Sequence, residues 1–437
     1  MLPDVALLKI FDFYVDRAWI EEWYTLVHVC RMWRNVVFGS PRRLNLQLFC
    51  TPRTPVRKII DAWPLLPIVV FGGNAKGGAD NIIAALEHND RICQVDLSDS
   101  PSSDVDKVLA ALQQPFPALK DLWLNSSGET APVVPASFLG GSAPQLQSLD
   151  LGYIPFPGLP KLLLSATHLV NLYLRAIPHS GYISPEAMVT GLAALTSLEI
   201  LVIGFESPRS HPDRKNRRPP PLTRNLLPAL KDLWLKGASE YLDDLVAQID
   251  APLLDKLEIS FFYQLIFDTP QLTQFISRTP KFKAYDEARV KFSDFRVRVT
   301  TTDGAFRLGI SCRPSDWQLS SLAQVCSSVF MPAVVRLYIL QEPGLPLYWQ
   351  GDIETSQWLE VLHPLTAVED LYISRAFTRH IAPTLQELVG GRVTEVLPAL
   401  QTLFLQEMEP VEKGIGKFVA ARELAGRPIA VSRWNVY

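Results

Sequence analysis

The 437-residue chain reads as an α/β fold built from a repeated strand-and-helix unit. A small all-helical module precedes the repeats and a β-hairpin interrupts them. Three observations predict this. The octapeptide PALKDLWL occurs twice, at Pro117–Leu124 and Pro228–Leu235. Proline, at 35 residues, recurs along the whole chain rather than in one linker. Residues 1–48 carry apolar side chains at helical spacing and no copy of the repeat.

Related segments follow the pattern P/T-x-L-x-x-L-x-L. They are PQLQSLDL (Pro144–Leu151), THLVNLYL (Thr167–Leu174), TSLEILVI (Thr196–Ile203), PLLDKLEI (Pro252–Ile259), PAVVRLYI (Pro332–Ile339), TAVEDLYI (Thr366–Ile373) and PALQTLFL (Pro398–Leu405). DRICQVDL (Asp90–Leu97) is a weaker, earlier copy and PKFKAYDE (Pro280–Glu287) a degenerate one. From residue 90 to residue 252 successive copies start 27, 27, 23, 29, 32 and 24 residues apart. These steps lie in or just above the leucine-rich-repeat range of about 20–29 residues. The predicted fold is a leucine-rich-repeat-like solenoid over 90–437, with parallel strands on one face and helices on the other. Residues 49–89 form a junction and the first solenoid elements.

The physics of one unit supports this. In the closing L-x-L, alternate apolar side chains point to one side of a short strand. Helices are expected over stretches such as Val105–Gln113 and Tyr241–Ile249, where apolar residues recur at three- and four-residue spacing. Proline ends each helix and opens the turn. One unit cannot bury its own apolar faces, but a stack can. Positions between the leucines then face outward, among them Trp123, Tyr173, Trp234, Tyr338, Tyr372 and Phe404. A doubly wound βαβ sheet also alternates strands and helices. The exact repetition of an octapeptide, and the lack of a glycine-rich phosphate loop after any strand, favour the solenoid. Across about 288–313 the period breaks. Phe295–Val299 alternates, Asp303-Gly304 signals a tight turn, and Phe306–Ile310 alternates again, which predicts a hairpin insertion.

Composition narrows the function. The formal net charge of -3 gives no global basic field of the kind that draws nucleic acid. Five cysteines, an odd number with no C-x-x-C pair, argue against a disulfide framework or a structural zinc. Free buried thiols in a reducing compartment fit better. The amino terminus lacks the layout of a signal peptide, and the longest apolar stretches, such as Leu65–Phe71, are far too short to span a bilayer. A soluble, intracellular protein of the cytoplasm and/or nucleus is expected.

The amino-terminal segment is the most specific feature. Asp4–Val15 reads as a compact apolar helix and Trp19–Val37 as a second helical region. LPDVALLKIF (Leu2–Phe11) followed by WYTLVHVCRMWRNV (Trp23–Val36) resembles an F-box, whose pattern is L-P-x-x-x-L-x-x-I-F and then L-x-x-V-C-x-x-W. The matching positions are Leu2, Pro3, Leu7, Ile10, Phe11, Leu26, Val29, Cys30 and Trp33. FGSPRRLNLQL (Phe38–Leu48) is similar to the stretch that follows the box in many fungal F-box proteins. Only Met1 precedes Leu2, whereas family members often carry residues ahead of the motif. That departure leaves two expectations open, an amino terminus that is cut short or a reduced affinity for the adaptor. The resemblance implies that these nine residues contact, or frame the contact with, a Skp-type adaptor. Through it the protein would join a cullin–RING ubiquitin ligase. Otherwise the same leucines would simply pack against the first repeats.

Catalytic signatures are missing. There is no H-E-x-x-H, G-x-S-x-G, Walker loop or GxGxxG, no histidine at metal spacing and no paired carboxylates. FGGNAKGG (Phe71–Gly78) lacks phosphate-loop order and reads as a junction. A basic cluster, Arg209, Arg214, Lys215, Arg217, Arg218 and Arg224 around Pro219–Pro221, reads as a solvated loop before an import signal or a dock for an acidic partner. The expectation is a non-catalytic substrate adaptor of an SCF-type ligase, with no cofactor, no membrane contact and no nucleic acid. Its protein substrate would be bound by Trp123, Tyr173, Trp234, Tyr338 and Tyr372. A leucine-rich interaction scaffold without ligase assembly is the alternative.

Overall fold

The computed structural model of the protein describes residues 3–15, 28–39, 45–62, 65–72, 78–98, 101–126, 132–208, 223–264, 267, 269–282, 285–311, 317–328, 333–342, 354–388, 390–406 and 412–434. The chain divides into two units, one of residues 1–183 with 190–200, the other of 184–189 with 201–437.

Each repeat opens on a tight turn. The Leu119 amide donates to the Phe116 carbonyl across Pro117-Ala118, and Leu230 donates to Leu227 across Pro228-Ala229. The same bond closes Ala143–Leu146, Ala251–Leu254 and Leu397–Leu400. Proline sits second in each of these turns, where its fixed φ suits the geometry and no amide is needed. The prolines of these copies are thus turn formers, while Thr167 and Thr196 take the same place in the Ala166–Leu169 and Leu195–Leu198 turns.

In the first unit the strands are β1 (Leu46–Cys50), β2 (Ile68–Gly72), β3 (Ile92–Leu97), β4 (Asp121–Asn125), β5 (Ser148–Gly152) and β6 (Asn171–Ile177). They pair in chain order, all parallel. Adjoining repeats are also joined just ahead of the strands. The Gln147 and Ser148 amides share the Lys120 carbonyl, and those of Val170 and Asn171 share Gln147. Leu119, Leu122 and Leu124 are buried, and so are their counterparts Leu146, Leu149 and Leu151. Helices Val56–Ala62, Ala79–Leu86, Ser102–Ala111 and Leu159–Leu163 link successive strands. Ser102–Ala111 starts three residues before the expected Val105, the first turn being polar and invisible to apolar periodicity.

The second unit contains β7 (Ile200–Phe205), β8 (Asn225–Leu226), β9 (Asp232–Gly237), β10 (Ile249–Asp250), β11 (Lys256–Phe262), β12 (Glu287–Ser293), β13 (Arg296–Thr301), β14 (Phe306–Ser311), β15 (Arg336–Gln341), β16 (Asp370–Ile373), β17 (Thr402–Leu405) and β18 (Ala430–Arg433). β8 and β10 form a short parallel pair by themselves. The others run in the order β7-β9-β11-β14-β13-β12-β15-β16-β17-β18. Residues 287–311 differ from the expected hairpin. They form a three-stranded antiparallel meander, because Asp294-Phe295 makes a second turn ahead of Asp303-Gly304. The meander is also part of the sheet. β14 pairs in parallel with β11, and β12 in parallel with β15. Sequence order is therefore reversed across these three positions, with β13 alone running backwards.

Buried polar side chains seal the helical layer of the second unit. Asp243 is fully buried and accepts the Leu272 amide at 2.9 Å, near the start of helix Pro270–Arg278. At the end of that helix Arg278 donates to the Val246 and Ile249 carbonyls at 2.9 and 2.7 Å. Arg422, 1% exposed in helix Glu412–Leu424, donates to the carbonyls of Val393, Leu397 and Leu400. Helix-end and turn carbonyls have spare acceptor capacity, and a guanidinium supplies several donors at once.

Candidate functional site

Two sets of exposed apolar and aromatic side chains stand out, one on the amino-terminal helices and one on the strand face.

The amino-terminal pair consists of helices Asp4–Val15 and Arg31–Gly39. The motif residues fall into two groups. Leu7 and Phe11 are buried, as is Leu8 between them, and the half-buried Trp33 ring meets Phe11 at 4.9 Å. These side chains hold the helices together. Pro3, Ile10, Val29 and Cys30 are exposed, Ile10 and Val29 at 48% and 57%. The Pro3 carbonyl accepts the Ala6 and Leu7 amides and so starts the first helix, while the Cys30 carbonyl accepts Arg34 and starts the other. Leu2 and Leu26 lie outside the described residues. The helix pair thus buries Leu7, Leu8 and Phe11 and leaves the aliphatic side chains of Ile10 and Val29 exposed.

On the strands, Trp123, Tyr173, Trp234, Tyr338 and Tyr372 are all half-buried, each between buried leucine or isoleucine neighbours. They lie on the sheet face opposite the core. They do not form one cluster. In the first unit the register runs Phe71, Asp96, Trp123, Asp150, Tyr173 across β2 to β6. Arg175 pairs with Asp150 at 2.8 Å and lies 4.8 Å from the Tyr173 ring centre. Burial raises the pKa of the Asp121 and Asp150 carboxyls. This face is acidic around a tryptophan.

In the second unit Tyr338 and Tyr372 do meet. They stack at 4.2 Å, and Tyr372 stacks on Phe404 at 4.2 Å, nearly parallel. Trp434 stands edge-on to Tyr372 at 5.5 Å and donates its indole N–H to the Ile373 carbonyl. Arg289 lies 5.4 Å from the Tyr338 ring centre. Trp234 is elsewhere, with four strands between it and Tyr338. Its ring lies over Gly204, where an added Cβ would stand 2.8 Å from the indole. Sequence reasoning missed Trp434, which follows no repeat copy. It also missed the charged outward residues of the meander. The alternation of Arg296, Arg298 and Lys291 with buried Val297, Val299, Val290 and Phe292 was their available signal.

Burial pushes the thiols of Cys50 and Cys93 up to about 12 and about 11, so neither is a ready nucleophile. Among the described residues no three His, Cys, Asp or Glu side chains converge as a metal site, and no helix is long and apolar enough to cross a membrane. The basic cluster of residues 209–222 lies outside the described residues, while Arg224 donates to the Ala247 carbonyl.

No family model matches the chain, and no curated protein matches it. Among solved structures it is similar to the leucine-rich repeat-containing protein LegL7 from Legionella pneumophila. That match has 14% identity over 88% of this chain and 98% of the other. Its TM-score of 0.26 is too loose an overlap to bear on function.

Proposed function

We propose that this chain is the substrate-recognition subunit of an SCF-type E3 ubiquitin ligase. The amino-terminal helix pair docks a Skp-type adaptor, and through it a cullin–RING ligase. The outward strand face holds a protein substrate. The observation that carries the reading is the division of the F-box-like residues, with Leu7 and Phe11 buried, Trp33 packed against Phe11, and Ile10 and Val29 exposed. Internal residues would keep the two helices in register while exposed ones meet the adaptor. The subunit performs no bond chemistry. It raises the effective concentration of substrate near the ubiquitin-charged enzyme.

The test is capture of the full chain by purified Skp-type adaptor. Ile10→Glu with Val29→Glu changes only exposed positions and leaves the Phe11–Trp33 contact intact. Binding by the wild type and a loss of roughly tenfold or more in this variant is expected, as for apolar anchors at an interface centre. Failure of the wild type to bind refutes the ligase role and leaves a leucine-rich interaction scaffold, to which the strand face is equally suited.

A further inference from the structure

The outward face of the meander carries an arrangement that the fold itself does not call for. Lys291 and Arg298 are direct cross-strand partners on β12 and β13, and both are outward. Like charges placed opposite one another destabilise an antiparallel pair. Neighbouring acids relieve this only in part. Glu342 is held by Arg296 through two hydrogen bonds of 2.6 and 3.1 Å and comes within only 3.7 Å of Arg298. Glu287 serves Arg289 and Arg336, and Glu258 faces Arg307 at 3.6 Å. The Lys291 ammonium has no ion-pair or hydrogen-bond partner among the described residues.

The row containing this pair has a gap. In register it runs Lys236, Ser260, Gly309, Arg298, Lys291. Ser260 and Gly309 are its two smallest members. The nearest atom to a Cβ built on Gly309 is Ser260 Oγ at 3.4 Å. A slot two strands wide therefore opens between Lys236 and Arg298, whose strands are three inter-strand spacings, about 14 Å, apart. One row over, Arg289 is in register with the stacked platform of Tyr338, Tyr372 and Phe404.

We infer that this part of the strand face binds an acidic peptide segment of a protein partner, with carboxylates over Lys291, Arg298 and the Ser260–Gly309 slot, and an apolar side chain on the Tyr338–Tyr372–Phe404 platform. The inference rests on the strand face being the recognition surface and adds the chemistry of what it recognises. Charge complementarity selects the occupant. Lys291 and Arg298 retain donors, whereas the acids around them are already paired. A nucleic acid would meet Glu258, Glu287 and Glu342 along the same strands, in a chain of net charge -3, and fits less well. The geometry also sets a spacing. Lys291 lies two strands and two residues from Tyr372, roughly 12 Å, or about three to four residues of extended peptide.

Fluorescence anisotropy with the full chain tests this. The probe is a labelled dodecapeptide with one phenylalanine and two aspartates placed at that spacing. Companion peptides replace the aspartates by lysines or by phosphoserines. The aspartate peptide is expected to bind, more weakly as salt is raised, and the lysine peptide is not. Lys291→Glu is expected to weaken binding roughly tenfold or more. Its thermal midpoint should hold or rise, because the new carboxylate faces Arg298, so lost binding is not lost folding. Arg57→Gln, on an exposed helix position of the other unit and off the strand face, is expected to leave affinity unchanged.

No binding by the wild type at low salt overturns the inference, as does undiminished affinity in Lys291→Glu. Binding of the phosphoserine peptide alone would replace carboxylates by phosphate as the ligand and equally overturn it. So would displacement of the aspartate peptide by a lower concentration of single-stranded RNA. Adaptor capture of Lys291→Glu is measured in parallel. Failure of the peptide with intact capture leaves the ligase reading standing, and failure of capture leaves the peptide result readable.

Discussion

The octapeptide PALKDLWL appears once in each unit, and the two copies do different things. Both fold into the same turn and strand, and both bury their three leucines. Trp123 lies between Asp96 and Asp150 in register on an acidic face. Trp234 lies over Gly204 and faces Glu258. Asp121 is half-buried, with its carboxyl pKa raised by burial. Its equivalent Asp232 has Lys256 at 3.9 Å. The repeat therefore dictates backbone and inward side chains, whereas the chemistry of the outward side chains is written by whichever strands lie alongside. That is how one motif sets its tryptophan between aspartates in one unit and over a glycine, beside Glu258, in the other.

The largest contrast is expected from the aromatic residues. Tyr372→Ala removes two stacked pairs and should cost about 2–3 kcal/mol by urea denaturation. Trp123→Ala, whose ring stands between aspartates, should cost no more than about 1 kcal/mol. Equal losses would mean that stacking in the second unit is incidental, and the contrast would fail. Next comes Gly204→Val, which places methyl groups where the Trp234 ring lies. A loss of about 1–3 kcal/mol is expected, and the double variant with Trp234→Ala should recover part of it. No recovery would detach Gly204 from the tryptophan.

The smallest effect separates the two aspartates. The folded-state pKa of Asp121 is raised, so its ionised form costs stability at neutral pH, and that penalty fades as pH falls through the folded value. Asp121→Asn should therefore raise the thermal midpoint at pH 7, with the gain shrinking toward acid. Asp232→Asn loses only a long, exposed ion pair and should stay within about 0.5 kcal/mol of the wild type. Matching pH profiles for the two variants would erase the distinction.

Much of the repeat is legible without coordinates, since turn proline, leucine spacing and strand coincide in the copies from Asp90 to Leu405. β1, β2 and β18 were not, because LQLFC, IVVFG and AVSR alternate too briefly and lack the P-x-L lead. The order of the meander was also hidden. Local alternation reveals strands but not which distant strand each will pair with, so the Lys291–Arg298 opposition appears only once the register is known. At the amino terminus the motif marked nine positions alike. Packing separates Leu7 and Phe11, which face inward, from Ile10 and Val29, which do not.

The reversed meander bears on how the chain folds. A simple repeat array can zip from one unit to the next, each new strand pairing with the one just made. Here that propagation halts at Lys256–Phe262. Its next neighbour, Phe306–Ser311, emerges from synthesis after the two strands that will lie beyond it. The meander's own strands pair within about 15 residues of sequence, whereas β11 with β14 and β12 with β15 pair across about 50, so the non-local step is the docking of the meander onto its flanks. The row from Lys236 to Lys291 is completed only by that docking, because it spans the β11–β14 seam.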